Sequence, residues 1–488
     1  MKSRVLNNRV LGCLAGVVVV FLVMLGSVPK SSAIPAFSRK YQTSCTTCHN
    51  NYPELNDFGE AFKKNGFKFP KDDETFVKEP PVLLGSKAQK ETFPGAVYPG
   101  EIPGFLPVAF RYSGNFNWNK KQPADFTAQV VAQGGSFTPR TDLFAPNTFT
   151  IISAGSFGPN FSFWVDDDIS TGGSGADGGL GDGYLKYNDL GHAFGLPKNS
   201  INVRFGQFEL DLPFTQARSI YPSDFDIYDQ ASFAGTLGTT NNPFALGTPQ
   251  RGIEIGGYPN NGNFTWSVAV VNGNNDSTAA RNTKDVYARV SQKFNLERDR
   301  ESRNAIQAAG QTGPRDHTSI RLGAFYYYGK NQLNLDGVAF PGLGSFEEPF
   351  YRIGADLRFK YRHLELYGVG LYGHDQNHLV NSTDTGFVHT TPVTFSGGFA
   401  GANYWIHPWL IGYMRYDSVN SPTDFLNGVS QYNTRNRFSP GFQILVRANM
   451  KVIGEYEHQW GVPFASSTGN PIQFFHPNAF VSGIDYVF

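Results

Sequence analysis

The stretch YRIGADLRFKY, residues 351–361, alternates without a break. Arg352, Asp356, Arg358 and Lys360 fall on one face of an extended chain. Ile353, Ala355, Leu357, Phe359 and Tyr361 fall on the other. A period of two marks a strand with two unlike faces. In a soluble sandwich the apolar face would be core. In a membrane barrel it meets lipid, and the charged face lines a wet lumen. VRANMKVIGEYEH, residues 446–458, repeats the pattern with Lys451, Glu455 and Glu457 on the inward face.

Working outward, segments of about ten residues with this alternation recur. They are read at 107–118, 145–156, 160–170, 180–190, 200–210, 250–258, 262–272, 284–296, 318–329, 350–361, 363–374, 395–406, 409–419, 437–447, 450–460 and 477–488. That makes roughly sixteen, an even number, as bacterial single-chain barrels require. FGPN, YPNN, YRH, IHP and RAN are short connections and belong on the periplasmic side. The stretches 211–250 and 375–394 are long and belong outside. One long charged connection, Leu296 to His317, falls on the short-turn side and is a candidate docking loop for a periplasmic partner. The chain ends in YVF, with an aromatic Phe488 like the insertion signal of outer-membrane barrels.

Composition agrees. The 488 residues include 54 Gly, 43 Phe and 23 Tyr, which suits many short strands punctuated by turns. Lys and Arg total 41 and so do Asp and Glu, so nothing points to nucleic acid or to a polybasic membrane-surface helix. Mean hydropathy is −0.32, and past the N-terminus no apolar run is long enough for a spanning helix. A closed barrel is the remaining way across a membrane. At the N-terminus, Lys2, Arg4 and Arg9 precede an apolar run from Leu11 to Val28 and small residues at Ser31 and Ala33. This reads as a signal peptide, residues 1–33, cleaved before Ile34 and taking Cys13 with it.

Two cysteines then remain, in TSCTTCHNNYPELNDFGEAFKKNGF, residues 43–67. Cys45-Thr46-Thr47-Cys48-His49 has the C-x-x-C-H spacing of covalent attachment of one haem c. The two thiols bond the vinyl groups, and the tether holds the adjacent imidazole, His49, under the iron as axial ligand. A zinc site would need two more ligands nearby, and none occurs before His192. Downstream, Pro53 is expected to start a helix, with Lys63 and Lys64 in its last turn and Gly66 as its cap. Leu55, Phe58 and Phe62 would share one face of it. The small haem domain spans 34–78, a proline-rich extended connector 79–106, and the barrel 107–488.

This region has no Met and no second His. The sixth iron position is therefore empty, water-bound, or filled by a less usual group, such as the amino group of Ile34 or a histidine of the barrel or connector. Met414 and Met450 fall on the lipid side by strand parity. At the outer mouth, Asp166, Asp167 and Asp168, and His374, Asp375 and His378, are candidate residues for the approach of Fe(II), since carboxylates and imidazoles suit that ion.

The N-terminal segment resembles the outer-membrane monohaem cytochrome–porin fusions of iron-oxidising bacteria. The family pattern falls here at Pro35, Phe37, Arg39, Cys45, Cys48, His49, Pro53, Leu55, Phe58, Gly59, Phe62, Lys63, Asn65 and Gly66. The resemblance implies a haem domain that plugs or caps the barrel from the periplasmic side. It also implies electrons taken from extracellular Fe(II) and passed to periplasmic cytochromes, as in an Fe(II):cytochrome c oxidoreductase. Three readings compete: this conduit or its outward-flowing reverse, a solute porin gated or sensed by a haem domain, and a haem enzyme such as a peroxidase. The last is weakest, because no distal acid–base pair is recognisable.

Overall fold

Burial along Tyr351–Tyr361 follows the alternation inside out. Arg352 is 0% exposed, whereas Ile353 is 52% and Leu357 43% exposed. The computed structural model describes residues 36–69, 73–83, 85–95, 101–119, 140–171, 179–229, 246–259, 262–273, 283–296, 318–334, 345–382, 387–420, 423–426, 429–432, 435–461, 463–465, 471–473 and 478–488. The signal-peptide segment and the connection 297–317 lie outside them.

Sixteen antiparallel strands close one ring. The first half is β1 Val108–Asn119, β2 Thr141–Phe157, β3 Phe161–Thr171, β4 Gly179–Tyr187, β5 Asn202–Phe208, β6 Gln250–Gly257, β7 Phe264–Val271 and β8 Asp285–Asn295. The second is β9 Ser319–Asn334, β10 Ser345–Tyr361, β11 Leu364–Ser382, β12 Phe387–His407, β13 Leu410–Asn420, β14 Arg435–Arg447, β15 Met450–Gly461 and β16 Ala479–Val487. β16 pairs with β1 to shut the ring. The C-terminal Phe488 completes that seam: its N–H donates to the Phe110 carbonyl at 2.8 Å, and the Phe110 N–H donates back at 2.7 Å. Full closure leaves no unpaired edge, which an apolar solvent demands.

The outer surface carries aromatic residues toward both rims. Phe294, Tyr361, Tyr404 and Trp409 lie toward the short-turn end, and Trp118, Tyr416 and Trp460 toward the other. That is the girdle arrangement of a lipid-facing barrel. Met414 is exposed on the same outer face, as its parity required.

The sixteen strand positions match the sequence reading, with two differences. First, 375–394 is mostly not loop. β11 runs on to Ser382 and β12 begins at Phe387, in continuous register from Leu364↔Tyr404 to Ser382↔Phe387 apart from one irregularity. The ladder of main-chain hydrogen bonds continues past the apolar band, where alternation no longer advertises it. Second, the start of the long 211–250 connection is not an outward loop. Residues 209–229 turn back into the ring.

That in-folded segment reaches opposite walls. The Tyr287 hydroxyl of β8 donates to the Asp211 carbonyl at 2.7 Å. On the other side, the Tyr221 hydroxyl donates to Asn403 of β12 at 2.6 Å, and Arg415 of β13 donates to the Ser223 carbonyl at 3.1 Å. Arg437 of β14 pairs with Asp226 at 3.0 Å. Leu210, Leu212, Ile220, Phe225 and Ile227 are buried in the lumen with Tyr367 and Phe399 of the wall. Phe225 lies 4.4 Å from Phe399, centroid to centroid. The apolar core of this protein is therefore inside the ring, around an inserted segment.

Candidate functional site

The N-terminal residues 36–69 form a second insertion, the plug. Helix α1, Ala36–Tyr41, leads into a 3₁₀ turn at Cys45–Thr47 that carries the first cysteine. Short strands His49–Asn51 and Glu54–Leu55 pair, and helix α2 runs Asp57–Lys64. Pro53 does not open α2, as the sequence had suggested. It sits in the turn between the two short strands, and Asn56 caps the helix by accepting from the Gly59 N–H at 2.8 Å. The other end fits expectation. Gly66, at φ +68°, ends α2 with its N–H on the Lys63 carbonyl, and the Phe67 N–H returns to the Phe62 carbonyl. This is the Schellman pattern.

Phe58 and Phe62 pack with Phe37, Tyr41, Phe67 and Phe69, an aromatic core of the plug's own side chains. Leu55 precedes α2 and faces the in-folded segment instead. Helix α2 lies directly on the motif. A Cβ at Gly59 would come within 2.0 Å of the Cys48 carbonyl oxygen, so only glycine allows this approach. Asn56 further ties the turn by donating to the Thr47 carbonyl at 3.0 Å.

The motif's donor set suits a covalently held haem. Cys45 and Cys48 are unpaired, partly exposed thiols. Burial pushes both thiols up, Cys48 to about 12 with Cys45 contributing, so they are held as thiols. Burial pushes the His49 imidazole down to about 4, which keeps the ring neutral, the form that ligates a metal. Its Nδ1 lies 3.1 Å from the Pro53 carbonyl oxygen. A carbonyl only accepts, so Nδ1 carries the proton and Nε2 is left with its lone pair. Such a hydrogen bond fixes tautomer and ring orientation in metal-bound histidines.

Contacts around the whole ring hold the plug. Lys40 reaches Ser156 of β2 at 3.4 Å, and Phe67 packs at a tilt against Trp164 of β3, 5.7 Å between ring centroids. Lys186 of β4 donates to the Lys64 carbonyl at 2.8 Å. Asp57 pairs with Lys293 of β8 and, at 3.6 Å, with Lys360 of β10. Asn51 bonds Gln443 of β14, and Lys451 of β15 donates to the Tyr52 carbonyl. A segment of this size that touches β2, β4, β8, β10 and β15 lies inside the barrel. Lys68 donates to the carbonyls of Gly158 and Pro159 in the β2–β3 turn, both at 2.9 Å, so the plug sits toward the short-turn end. The 79–106 connector is not simply extended: Val82–Leu83 pairs with Glu101–Ile102.

The plug's carboxylates titrate in opposite directions. Burial and then Glu365 push Glu54 up to about 7. Burial also works against charged Asp57 and Glu60, but Lys360 and Lys293 outweigh it for Asp57, and Lys64 and Arg218 for Glu60. Asp57 falls well below the carboxylate range and Glu60 to about 2. A raised carboxyl contributes stability that is lost as pH rises through its folded value. A lowered one contributes stability that is lost only as pH falls through its folded value. Glu54 is therefore expected to cost the plug stability progressively as pH rises from about 4.5 through about 7. Glu54→Gln is expected to raise the thermal unfolding midpoint at pH 8 and to leave it nearly unchanged at pH 4; equal shifts at the two pH values contradict this.

The sequence-selected outer residues are only partly brought together. Asp166 and Asp168 point into the lumen from β3: Asp166 accepts from Trp164 Nε1 at 2.5 Å, and Asp168 from the Thr150 hydroxyl at 2.5 Å. Asp167 lies on the exposed outer face between them. Likewise Asp375 is buried and paired with Arg352 at 2.5 Å, while His374 faces outward beside Tyr351. The backbone of His378 lies in β11, and its side chain is outside the described residues. Among the described residues no three His, Cys, Asp or Glu side chains converge as a metal site.

No protein-family model matches the chain, and no curated protein matches it either. Among solved structures it is similar to the outer membrane channel DcaP of Acinetobacter baumannii, at 14% identity and TM-score 0.44 over 78% of this chain and 96% of that one. Salmonella typhi OmpF in complex with daunomycin is similar at 13% identity and TM-score 0.44 over 79% and 98%. The anion-selective porin of Comamonas acidovorans is similar at 14% identity and TM-score 0.45 over 78% and 98%.

Proposed function

We propose that the chain is an outer-membrane electron-transfer conduit, a porin-type barrel sheathing a monohaem cytochrome plug, that moves electrons from extracellular Fe(II) to a periplasmic cytochrome. One observation carries the reading: the segment bearing Cys45, Cys48 and His49 is bonded to opposite walls inside the ring, beneath a second inserted segment. A bilayer insulates, and a chain with one attachment motif links its two sides only from within the lumen. Bound at the motif, haem c supplies a one-electron iron centre. Cys45 and Cys48 tether it, and His49 ligates it with a ring oriented by Pro53. Asp57 fixes the plug against the wall cations Lys293 and Lys360, and the in-folded aromatics Phe214, Tyr221 and Phe225 exclude solvent on the outer side. Asp166 and Asp168 face the lumen on the strand that touches the plug through Trp164, and offer carboxylates to incoming Fe(II). The same residues allow outward flow to an external acceptor.

A second reading, a solute channel gated by the plug, draws on the chamber left beside α2. Stopped-flow absorbance separates the two. Oxidised holoprotein mixed with Fe(II) is expected to show fast, saturable reduction in its Soret and α bands, lost in His49→Ala. No reduction by Fe(II), with ready reduction by a stronger reductant, contradicts iron as donor.

A further inference from the structure

Between α2 and the wall from β4 to β10 lies a chamber of about 190 Å³. Ten cationic side chains and five carboxylates line it, a formal excess of five positive charges. The cations come from both sides of the gap: Lys63 and Lys64 from the plug, Lys186, Arg289 and Arg321 from the wall. Some have counter-charges, such as Lys64 with Glu60 at 3.6 Å and Arg289 with Asp356 at 2.9 Å. Lys63, Lys186 and Arg321 make no ion pair among the described residues. Lys186 spends its donors on the Lys64 carbonyl and the Tyr258 hydroxyl at 3.3 Å. Arg321 donates to Ser291 Oγ at 3.1 Å and the Gly262 carbonyl at 3.2 Å, and Lys63 lies over the Trp164 ring at 5.8 Å.

Lys63 of the plug and Lys186 of the wall thus bring like charges to one partly desolvated chamber with no salt bridge to either among the described residues. The chamber exceeds the roughly 150 Å³ cavity that accepts benzene, so a tetrahedral oxyanion fits with some water. We propose that this chamber binds a small oxyanion of the phosphate or sulfate class, which bridges Lys63 of the plug to Lys186 of the wall and so locks the plug in its seat. Guanidinium and ammonium groups are the donors that hold such anions through charge-assisted hydrogen bonds.

The test is calorimetric titration of inorganic phosphate into purified holoprotein, at constant ionic strength held with chloride. Saturable one-site binding is expected, weakened roughly tenfold or more in Lys63→Gln and Lys186→Gln. Lys198→Gln, an exposed lysine outside the chamber, is expected to leave it unchanged. Heat-modifiable gel migration checks that each variant is folded. A readout on the unmodified protein runs beside it: phosphate raises the thermal midpoint and an equal ionic strength of chloride does not. Sulfate titrated alone tells which oxyanion is preferred. Absence of saturable binding and of any midpoint shift, as when the haem's own propionates fill the chamber, overturns the proposal. So does binding that both chamber variants leave intact.

Discussion

A chain carrying Cys45→Ser and Cys48→Ser together is expected to keep its barrel and lose all covalently held haem. On a denaturing gel the wild-type band stains for haem and the variant band does not. The barrel should survive because β16 closes on β1 through main-chain ladders that no motif residue enters. The loss should be complete, not graded, because the thioether bonds are what survive denaturation. Replacing one cysteine should leave a single-bonded, less abundant product. His49→Ala differs in kind. The tether stays, so haem staining persists, but the axial ligand goes and the Soret band moves. A double-serine chain that still carries covalent haem contradicts the attachment reading outright.

The second large effect concerns the lumen. Removal of the plug residues 36–69 together with 213–228 of the in-folded segment is expected to turn a nearly closed barrel into an open one. Sixteen-stranded barrels hold an aqueous channel unless something occupies it. Here two segments occupy it, one at the short-turn end around Asp57 and one across the middle around Tyr221 and Phe225. Single-channel conductance in planar bilayers should rise at least about tenfold over the intact holoprotein. Either deletion alone should give an intermediate value, since the other insertion remains. Large conductance in the intact holoprotein contradicts the conduit and favours a gated porin.

Much of this was legible in the residues because a lipid-facing strand advertises itself. Its outward side must be apolar and its inward side need not be, so YRIGADLRFKY announces both faces and their direction. The extents were less legible. Past the apolar band, β11 continues through Gly373-His-Asp-Gln-Asn-His378, where both faces are polar and the period vanishes although the pairing persists. The same rule of alternation separates Asp167 from Asp166 and His374 from Asp375. Adjacent strand residues point to opposite faces, so runs of ligating residues that suggest a cluster in a loop are split in a strand. The motif itself was plain from spacing, and Gly66 from its place after two lysines. Pro53 misled, because proline suits a tight turn as well as a helix start. The in-folded segment was hidden by length, which reads as an outer loop. Its signal was there in Ile220, Tyr221, Phe225, Ile227 and Tyr228, too apolar a set for a solvated loop.

The decisive measurement is electron transfer across a sealed vesicle. Holoprotein is reconstituted into liposomes that enclose an oxidised soluble cytochrome c and an Fe(II) chelator that colours on binding, and Fe(II) is added outside. If electrons cross through the plug, the enclosed cytochrome is reduced while the chelator stays colourless, and the Cys45→Ser, Cys48→Ser chain gives no reduction. If the chelator colours as fast as the cytochrome is reduced, or the cytochrome stays oxidised, iron passes or nothing does, and the protein is not an electron conduit.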